Sequence, residues 1–321
     1  MKTRMTELLG VRYPIIQGGL QGLGRADLAA AVSDAGGLGL ITAGCFDTCA
    51  ELEAEILHAR TLTDKPVGVN ISIGTRRTMS DFLDCICDLG VGIIFTSGHN
   101  PESFVDRIKR FGMKWVHVVP AVRFAHKAQD LGADAVVVVG FEAGGHPGMD
   151  DVALSVLVRK ASVELSIPVI AAGGISDGRS MIAALAWGAE GVQLGTRFVL
   201  TRESALHPIM KECLQQATEH DTIMIERSLR KSRRVLRTTQ AEAVIALERD
   251  GATFEQLKHI IGGEAYLETI LAGRQDRGVL STGQCIGLLN DIPSARDVVR
   301  QMVAEATSVL ERMNRVFGAC H

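Results

Sequence analysis

Aromatic side chains are scarce in this chain: phenylalanine, tryptophan and tyrosine together make up 4% of 321 residues. That composition argues against a binding module built on aromatic anchors. An excess of one charge is also missing. Lys and Arg number 34 against 37 for Asp and Glu, a net charge of -3, so neither a nucleic-acid footprint nor a basic membrane-binding face is expected. No apolar run reaches bilayer-spanning length, and the opening MKTRMTELLG has no apolar core of a secretory signal. Seven cysteines occur, but there is no C-x-x-C and no histidine completes a zinc pattern. The expectation is reduced thiols in a cytoplasmic protein with no metal site. H-E-x-x-H, G-x-S-x-G and the P-loop pattern are absent, and GLQGLG at 19–24 fits the dinucleotide fingerprint poorly. A separate Rossmann domain is therefore not expected.

Glycine is abundant, at 34 residues, and 46% of the chain is hydrophobic. Eight apolar runs recur: PIIQGG, LGLITAG, PVGVNIS, VGIIFTSG, KWVHVVP, AVVVVGF, PVIAAGG and GVQLGTRF. Most are rich in Val and Ile without polar alternation, as strands buried on both faces of a parallel sheet are. Between them lie helical patterns that stop at glycine: RADLAAAVSDAGG, TMSDFLDCICDLG, PESFVDRIKRFG, AVRFAHKAQDLG and DGRSMIAALAWG. Eight such units within residues 1–202 predict a closed (β/α)8 TIM barrel, with an open doubly wound sheet as the other arrangement. Residues 203–277 read as a small helical cap or insertion that includes the basic run RSLRKSRRVLR at 227–237. Residues 278–321 return to the barrel through GVLSTGQ and a long amphipathic helix, which packs on its own barrel or on a second copy in a homodimer.

A parallel barrel carries its site at the C-terminal ends of its strands. There the sequence places Gln17-Gly18-Gly19, Ala43-Gly44, Asn70, Ser97-Gly98, Pro120, the EAGGHPG loop, Gly173-Gly174 and Gly195-Thr196. Small residues leave room for a large flat ligand. AAGGISDGRS after strand seven and GTRF after strand eight predict a phosphate cradle of backbone N–H groups, with the Thr196 hydroxyl added. His146, flanked by glycines after strand six, is the candidate catalytic side chain. Its unperturbed pKa near 6.5 suits proton transfer or hydrogen bonding. Glu142 is expected to shape the loop. His99 and Asn100 stand near the mouth, either in the substrate pocket or, for Asn100, as a helix cap. Cys45 is expected to be a packing residue.

In order along the chain, QGGL, AAAVSDAGGLG, KPVGVNI, GFEAGGHPG, PVIAAGGISDG and GTRF resemble the nitronate monooxygenase (2-nitropropane dioxygenase) superfamily of FMN-dependent barrels. That group also contains NAD(P)H:quinone reductases and flavin-dependent enoyl-acyl-carrier-protein reductases. The resemblance implies non-covalent FMN. Gly18, Gly19 and Asn70 would line the isoalloxazine, with Gln17 and Gly145 as further cofactor contacts. Gly173, Gly174, Gly195 and Thr196 would hold the phosphate, Gln284 would approach the ring, and His146 would face the substrate. Two positions depart from some relatives: Val118 stands where they carry a lysine, and Val139 where they carry an acid.

The activity expected from the resemblance is oxidation of alkyl nitronates by O2 to a carbonyl compound and nitrite. The alternative is NAD(P)H-driven reduction of a quinone or of an enoyl thioester. A reading from another class is a non-redox lyase or isomerase of sugar phosphates using the same cradle. The basic run is either a solvated helix face or a dock for an acidic partner.

Overall fold

A computed structural model describes residues 1–74 and 79–318 of the chain. Thr78, which opens the TMSDFLDCICDLG pattern, and Cys320 lie outside the described residues. Eight parallel strands alternate with helices: β1 (Ile15–Gln17), β2 (Gly39–Thr42), β3 (Val67–Ile73), β4 (Ile93–Gly98), β5 (Lys114–Val119), β6 (Ala135–Val139), β7 (Val169–Ala172) and β8 (Gly191–Leu194). Sequential strands are neighbours from β2 through β8, and β8 pairs with β1 in the register Ile15↔Val192 to Gln17↔Leu194. The ring is sealed between β1 and β2 by the bridge Ile16↔Leu38. Here Gln17 does unexpected work. Its Oε1 accepts the Leu40 N–H at 3.0 Å, and its amide donates to Gly18 O. A side chain thus supplies the ladder bond that two short strands cannot make.

Successive strand residues point to opposite faces, which separates two cores. Ile16, Leu40, Phe95, Val116, Val137 and Ile170 fill the barrel, with Met5 and Leu9 of the helix Arg4–Leu9 closing its lower end. Ile41, Ile71, Trp115, Val138 and Val192 face outward against the surrounding helices. Both faces being buried explains why the strands read as continuous apolar runs. The C-terminal helix Ala295–Gly318 lies across the helices Gly178–Ala186 and Ala26–Asp34 of its own barrel. Gly178 permits that approach, since a Cβ there would sit 2.3 Å from Met302 O. Its N–H donates to Glu305 Oε2 at 2.9 Å.

The cap corrects one expectation. The basic run is not a helix. Residues 222–236 form an antiparallel pair, β9 (Thr222–Ile225) and β10 (Arg233–Leu236), with Arg233 opposite Ile225 and Leu236 opposite Thr222. Arg, Lys and Leu are good helix formers in isolation. Here Ile225 and Val235 are buried in a satellite core with Val244, Leu257 and Val279, and β10 finds further backbone partners in Gly145 and Ser281. Tertiary pairing overrides the local preference. The helices Pro208–Gln215, Thr239–Arg249, Phe254–Ile261 and Gly263–Ala272 complete the cap. Among the described residues no helix is long and apolar enough to cross a membrane.

Candidate functional site

The mouth of the barrel has an apolar floor and a polar side. Val118 and Val139 pack with the interior cluster that contains Ala172, so the positions where some relatives carry ionisable groups are hydrocarbon here. Opposite them, Asn70 Nδ2 donates to Ser72 Oγ at 3.5 Å, and Ser72 and Ser97 share a hydroxyl contact of 3.2 Å. Gly19 must lack a side chain, because a Cβ there would meet Asn70 Cγ at 2.6 Å. Gly18 similarly faces Gln193 of β8, whose Oε1 is buried without a partner. Gly18, Gly19 and Asn70 are therefore brought together. Gln17 adjoins them, its Nε2 donating to Gly18 O and its Oε1 occupied in the seam.

Gly173 and Gly174 turn the chain after β7 with φ of 111° and 70°. Most L side chains avoid this left-handed region. The Ser176 hydroxyl in the same loop is buried with no hydrogen-bond partner among the described residues. The following helix is fixed by an Asp177 capping box with Ser180. After β8, Gly195 has open space around its missing side chain, with Leu20 the nearest neighbour at 3.8 Å. Thr196 Oγ1 accepts the Gly283 N–H at 3.0 Å. The β7 and β8 loops thus form a glycine-lined recess with an unpartnered hydroxyl, and Thr196 also anchors the C-terminal segment to its rim.

The EAGGHPG loop is held from three directions. Glu142 Oε1 and Oε2 accept the Leu154 N–H at 3.3 and 3.1 Å, which orders the start of the next helix. The Glu142 carbonyl accepts the Gln284 N–H at 3.0 Å, so Gln284 does reach this loop. Gly144 lies so close to the Thr282–Gly283 backbone that a Cβ would come within 2.7 Å of it. Finally, Gly145 and Arg234 exchange both backbone bonds, at 3.0 and 2.7 Å. The Arg234 side chain stacks 4.4 Å over the Phe141 ring and donates to Phe141 O from Nε and Nη2 at 3.1 and 3.0 Å. The acidic residues after the loop are tied down too, Asp150 by Arg123 at 2.7 Å and Asp151 by Arg227 at 2.7 Å.

His146 stands on this loop as an exposed residue. Desolvation by the chain around its imidazole, reinforced by Arg233 and Lys231, pushes its pKa down to about 4. The imidazole is neutral at physiological pH, and the ordinary value assumed from the sequence does not hold. Cys45 is partly buried and its thiol is pushed up to about 11 by burial, then modulated by Arg25. Such a thiol is inert, as a packing residue would be. Asn100 Oδ1 accepts the Glu102 N–H at 3.3 Å from one residue ahead of the helix's N-cap, which is Pro101 rather than Asn100. His99 is exposed beyond the end of β4.

Sequence reading missed Arg233, Arg234, Ser176 and Gln193. The two arginines were hidden in a basic run read as either a solvated helix face or a dock for an acidic partner, and RRVL has no polar–apolar alternation to mark it as a strand. Ser176 sits inside the quoted AAGGISDG segment and could have been found as the only hydroxyl before its helix cap. Gln193, a polar residue inside an apolar strand run, carried a signal of the same kind.

Comparison with known proteins now decides the family. The nitronate monooxygenase family model matches residues 2–89 and 82–305. The chain belongs to this nitronate monooxygenase family. The chain is 31% identical to the Mycobacterium tuberculosis (3aS,4S,5R,7aS)-5-hydroxy-7a-methyl-1-oxo-octahydro-1H-indene-4-carboxyl-CoA dehydrogenase, over 97% of this chain and 98% of that protein. It is 33% identical to a probable nitronate monooxygenase of Staphylococcus saprophyticus, over 70% of this chain and 75% of that one. Among solved structures, FabK from Thermotoga maritima superposes with a TM-score of 0.93 at 36% identity, covering 98% and 99% of the two chains. Nitroalkane oxidase from Streptomyces ansochromogenes gives 0.81 at 25% identity, covering 97% and 100%. This member of the family is an oxidoreductase.

Proposed function

We propose that the chain is an FMN-dependent oxidoreductase acting on a carbon–carbon bond conjugated to a thioester carbonyl, with NAD(P)H as electron partner. The observation that carries this reading is His146 on the loop after β6, at the mouth of a barrel where Val118 and Val139 are hydrocarbon. A ring whose conjugate acid has a pKa of about 4 is a weak base for abstracting a proton from carbon. It retains one N–H, which suits polarising a carbonyl oxygen. The match to the carboxyl-CoA dehydrogenase runs end to end, whereas the match to the staphylococcal nitronate monooxygenase covers 70% of the chain. The end-to-end match to the dehydrogenase supports the thioester substrate, and the equally full match to nitroalkane oxidase supports the second reading below.

The residues fit FMN. Ser176 offers a hydroxyl that is buried without a partner among the described residues, in the same loop as Gly173 and Gly174. This is a donor-rich recess of the kind that holds phosphate between the last two barrel strands. Gly18, Gly19 and Asn70 would face the ring, with Gly145 and Gln284 at its edge. The unpartnered Gln193 Oε1 is an acceptor suited to a ring N–H. FMN, when bound, would supply two-electron hydride exchange. The protein would supply orientation, a water-poor floor at Val118 and Val139, and the polarising His146.

A second reading, nitronate oxidation with O2, is favoured by the description of the family model. A nitronate is already an anion and needs no base. Anaerobic mixing of the yellow protein with NADH, NADPH and propyl-2-nitronate in separate runs separates the two. The expected outcome is bleaching by a nicotinamide and return of colour on adding a 2-enoyl-CoA. Bleaching by the nitronate alone would overturn the thioester reading in favour of the second. Recovery with a quinone but not with the enoyl-CoA would move the substrate to quinones. A protein that stays colourless after FMN is added would point instead to the sugar-phosphate lyase or isomerase class.

A further inference from the structure

We propose that Arg233 is the anion-recognising residue of the substrate pocket, receiving beside His146 the oxygen that carries the charge of a delocalised substrate anion. The inference rests on the oxidoreductase reading above and names a second group for its substrate.

The argument begins with register. Gly145 bridges Arg234 in an antiparallel sense, so the next residue of the loop, His146, comes opposite Arg233. The guanidinium lies 5.2 Å over the Tyr266 ring. Tyr266 in turn donates its hydroxyl proton to Gln21 O at 3.0 Å, in the loop after β1. Arg233 therefore stands above the barrel, between the ends of β1 and β6, on the side to which His146 projects. It is a buried residue, 8% exposed.

Its charge is poorly matched by the protein. A guanidinium has five N–H donors. Here Nε donates to Ser281 Oγ at 3.3 Å and Nη1 to Glu226 Oε1 at 3.4 Å, both long bonds. Glu226 is itself buried, and burial pushes its carboxyl upward against the pull of Arg233. A buried cation with spare donors is costly unless an acceptor completes it. An enolate oxygen of an acyl thioester or an oxygen of a nitronate would do so, and a planar fork suits either. Of the other cations in the run, Arg234 is bound to Phe141 O, Arg227 to Asp151 and Arg237 to Glu242. Lys231, the second charge acting on His146, lies over the Phe254 ring and has no fork to offer. The same guanidinium contributes to the low pKa of His146.

The test titrates FMN-loaded enzyme with acetoacetyl-CoA, propyl-2-nitronate and, as a control without an acyl oxygen, CoA. Binding is followed by perturbation of the flavin spectrum and by calorimetry. Arg233→Gln is expected to weaken whichever anion the wild type binds by roughly 10- to 100-fold, leaving CoA binding unchanged. NMR titration of His146 in the same variant should show its pKa rising. Wild-type affinity in Arg233→Gln, or a wild-type enzyme that binds neither anion, overturns the proposal. If Arg233→Gln does not fold, Arg233→Lys decides. An ammonium cannot present the parallel fork, so binding should fall about tenfold, and unchanged binding overturns the assignment. Arg233-dependent binding of nitronate alone supports the subsite and removes the thioester reading. Arg233-independent binding of acetoacetyl-CoA does the reverse.

Discussion

Arg234 lies face-on to Phe141, its guanidinium carbon 4.4 Å from the ring centroid, and donates twice to the carbonyl of that same residue. One side chain from the cap thus clamps the first residue of the loop that carries His146. Arg234→Met keeps an apolar stem over the ring but strands Phe141 O and the Thr222 hydroxyl, to which Nη1 donates at 3.1 Å. The expected cost is about 2 kcal/mol of stability, with faster hydrogen exchange across residues 143–148. Unchanged thermal unfolding and unchanged exchange would show that the clamp is idle.

His146→Ala should bind FMN as the wild type does and lose turnover by roughly 100- to 1000-fold, the usual effect of removing one donor to a developing oxyanion. The two readouts are the flavin spectrum of the purified variant and steady-state kinetics. Full activity would return His146 to an ordinary turn residue.

Ser176→Ala removes a buried hydroxyl that has no protein partner. The fold should therefore be indifferent or slightly more stable, while FMN affinity falls about tenfold. Apoprotein titrated with FMN, followed by quenching of flavin fluorescence, measures this directly. Equal affinity in the two proteins would place the phosphate elsewhere.

His117 predicts a pH dependence unrelated to the site. It is 4% exposed on the outer face of β5, with Nδ1 2.8 Å from Thr96 Oγ1, which also accepts the Trp115 indole N–H at 2.7 Å. Burial lowers its pKa to about 4 from 6.5. The unfolded chain therefore binds the proton more readily than the native state. The stabilising preference for the neutral ring is fully present above pH 6.5 and is lost as pH falls through 4, up to about 3 kcal/mol in all. Denaturant midpoints between pH 7 and 4 should fall less steeply in His117→Gln; parallel curves would refute the assignment.

The barrel was legible because a parallel sheet buried on both faces leaves an unbroken apolar signature, and eight such runs occur at regular spacing. The glycines at the strand ends were legible for a related reason. A left-handed turn or a close approach, such as Gly19 against Asn70, excludes other residues and so writes itself into the chain. The cap was misread where local propensity and tertiary pairing disagree. RSLRKSRRVLR favours a helix on its own, and β10 exists because Gly145 and Ser281, far away in sequence, give its backbone a second and third partner.

By itself, then, the sequence determined the architecture, the family resemblance and the position of His146 on a loop at the barrel mouth. These follow from hydrophobic period and turn chemistry, which are local properties. Only the tertiary structure decided the electrostatics of that loop. The protonation of His146 depends on how much protein surrounds it and on a guanidinium supplied from residue 233. The fate of each arginine in the basic run likewise depends on what lies across from it. Desolvation and charge proximity act through space, and no spacing along the chain records them.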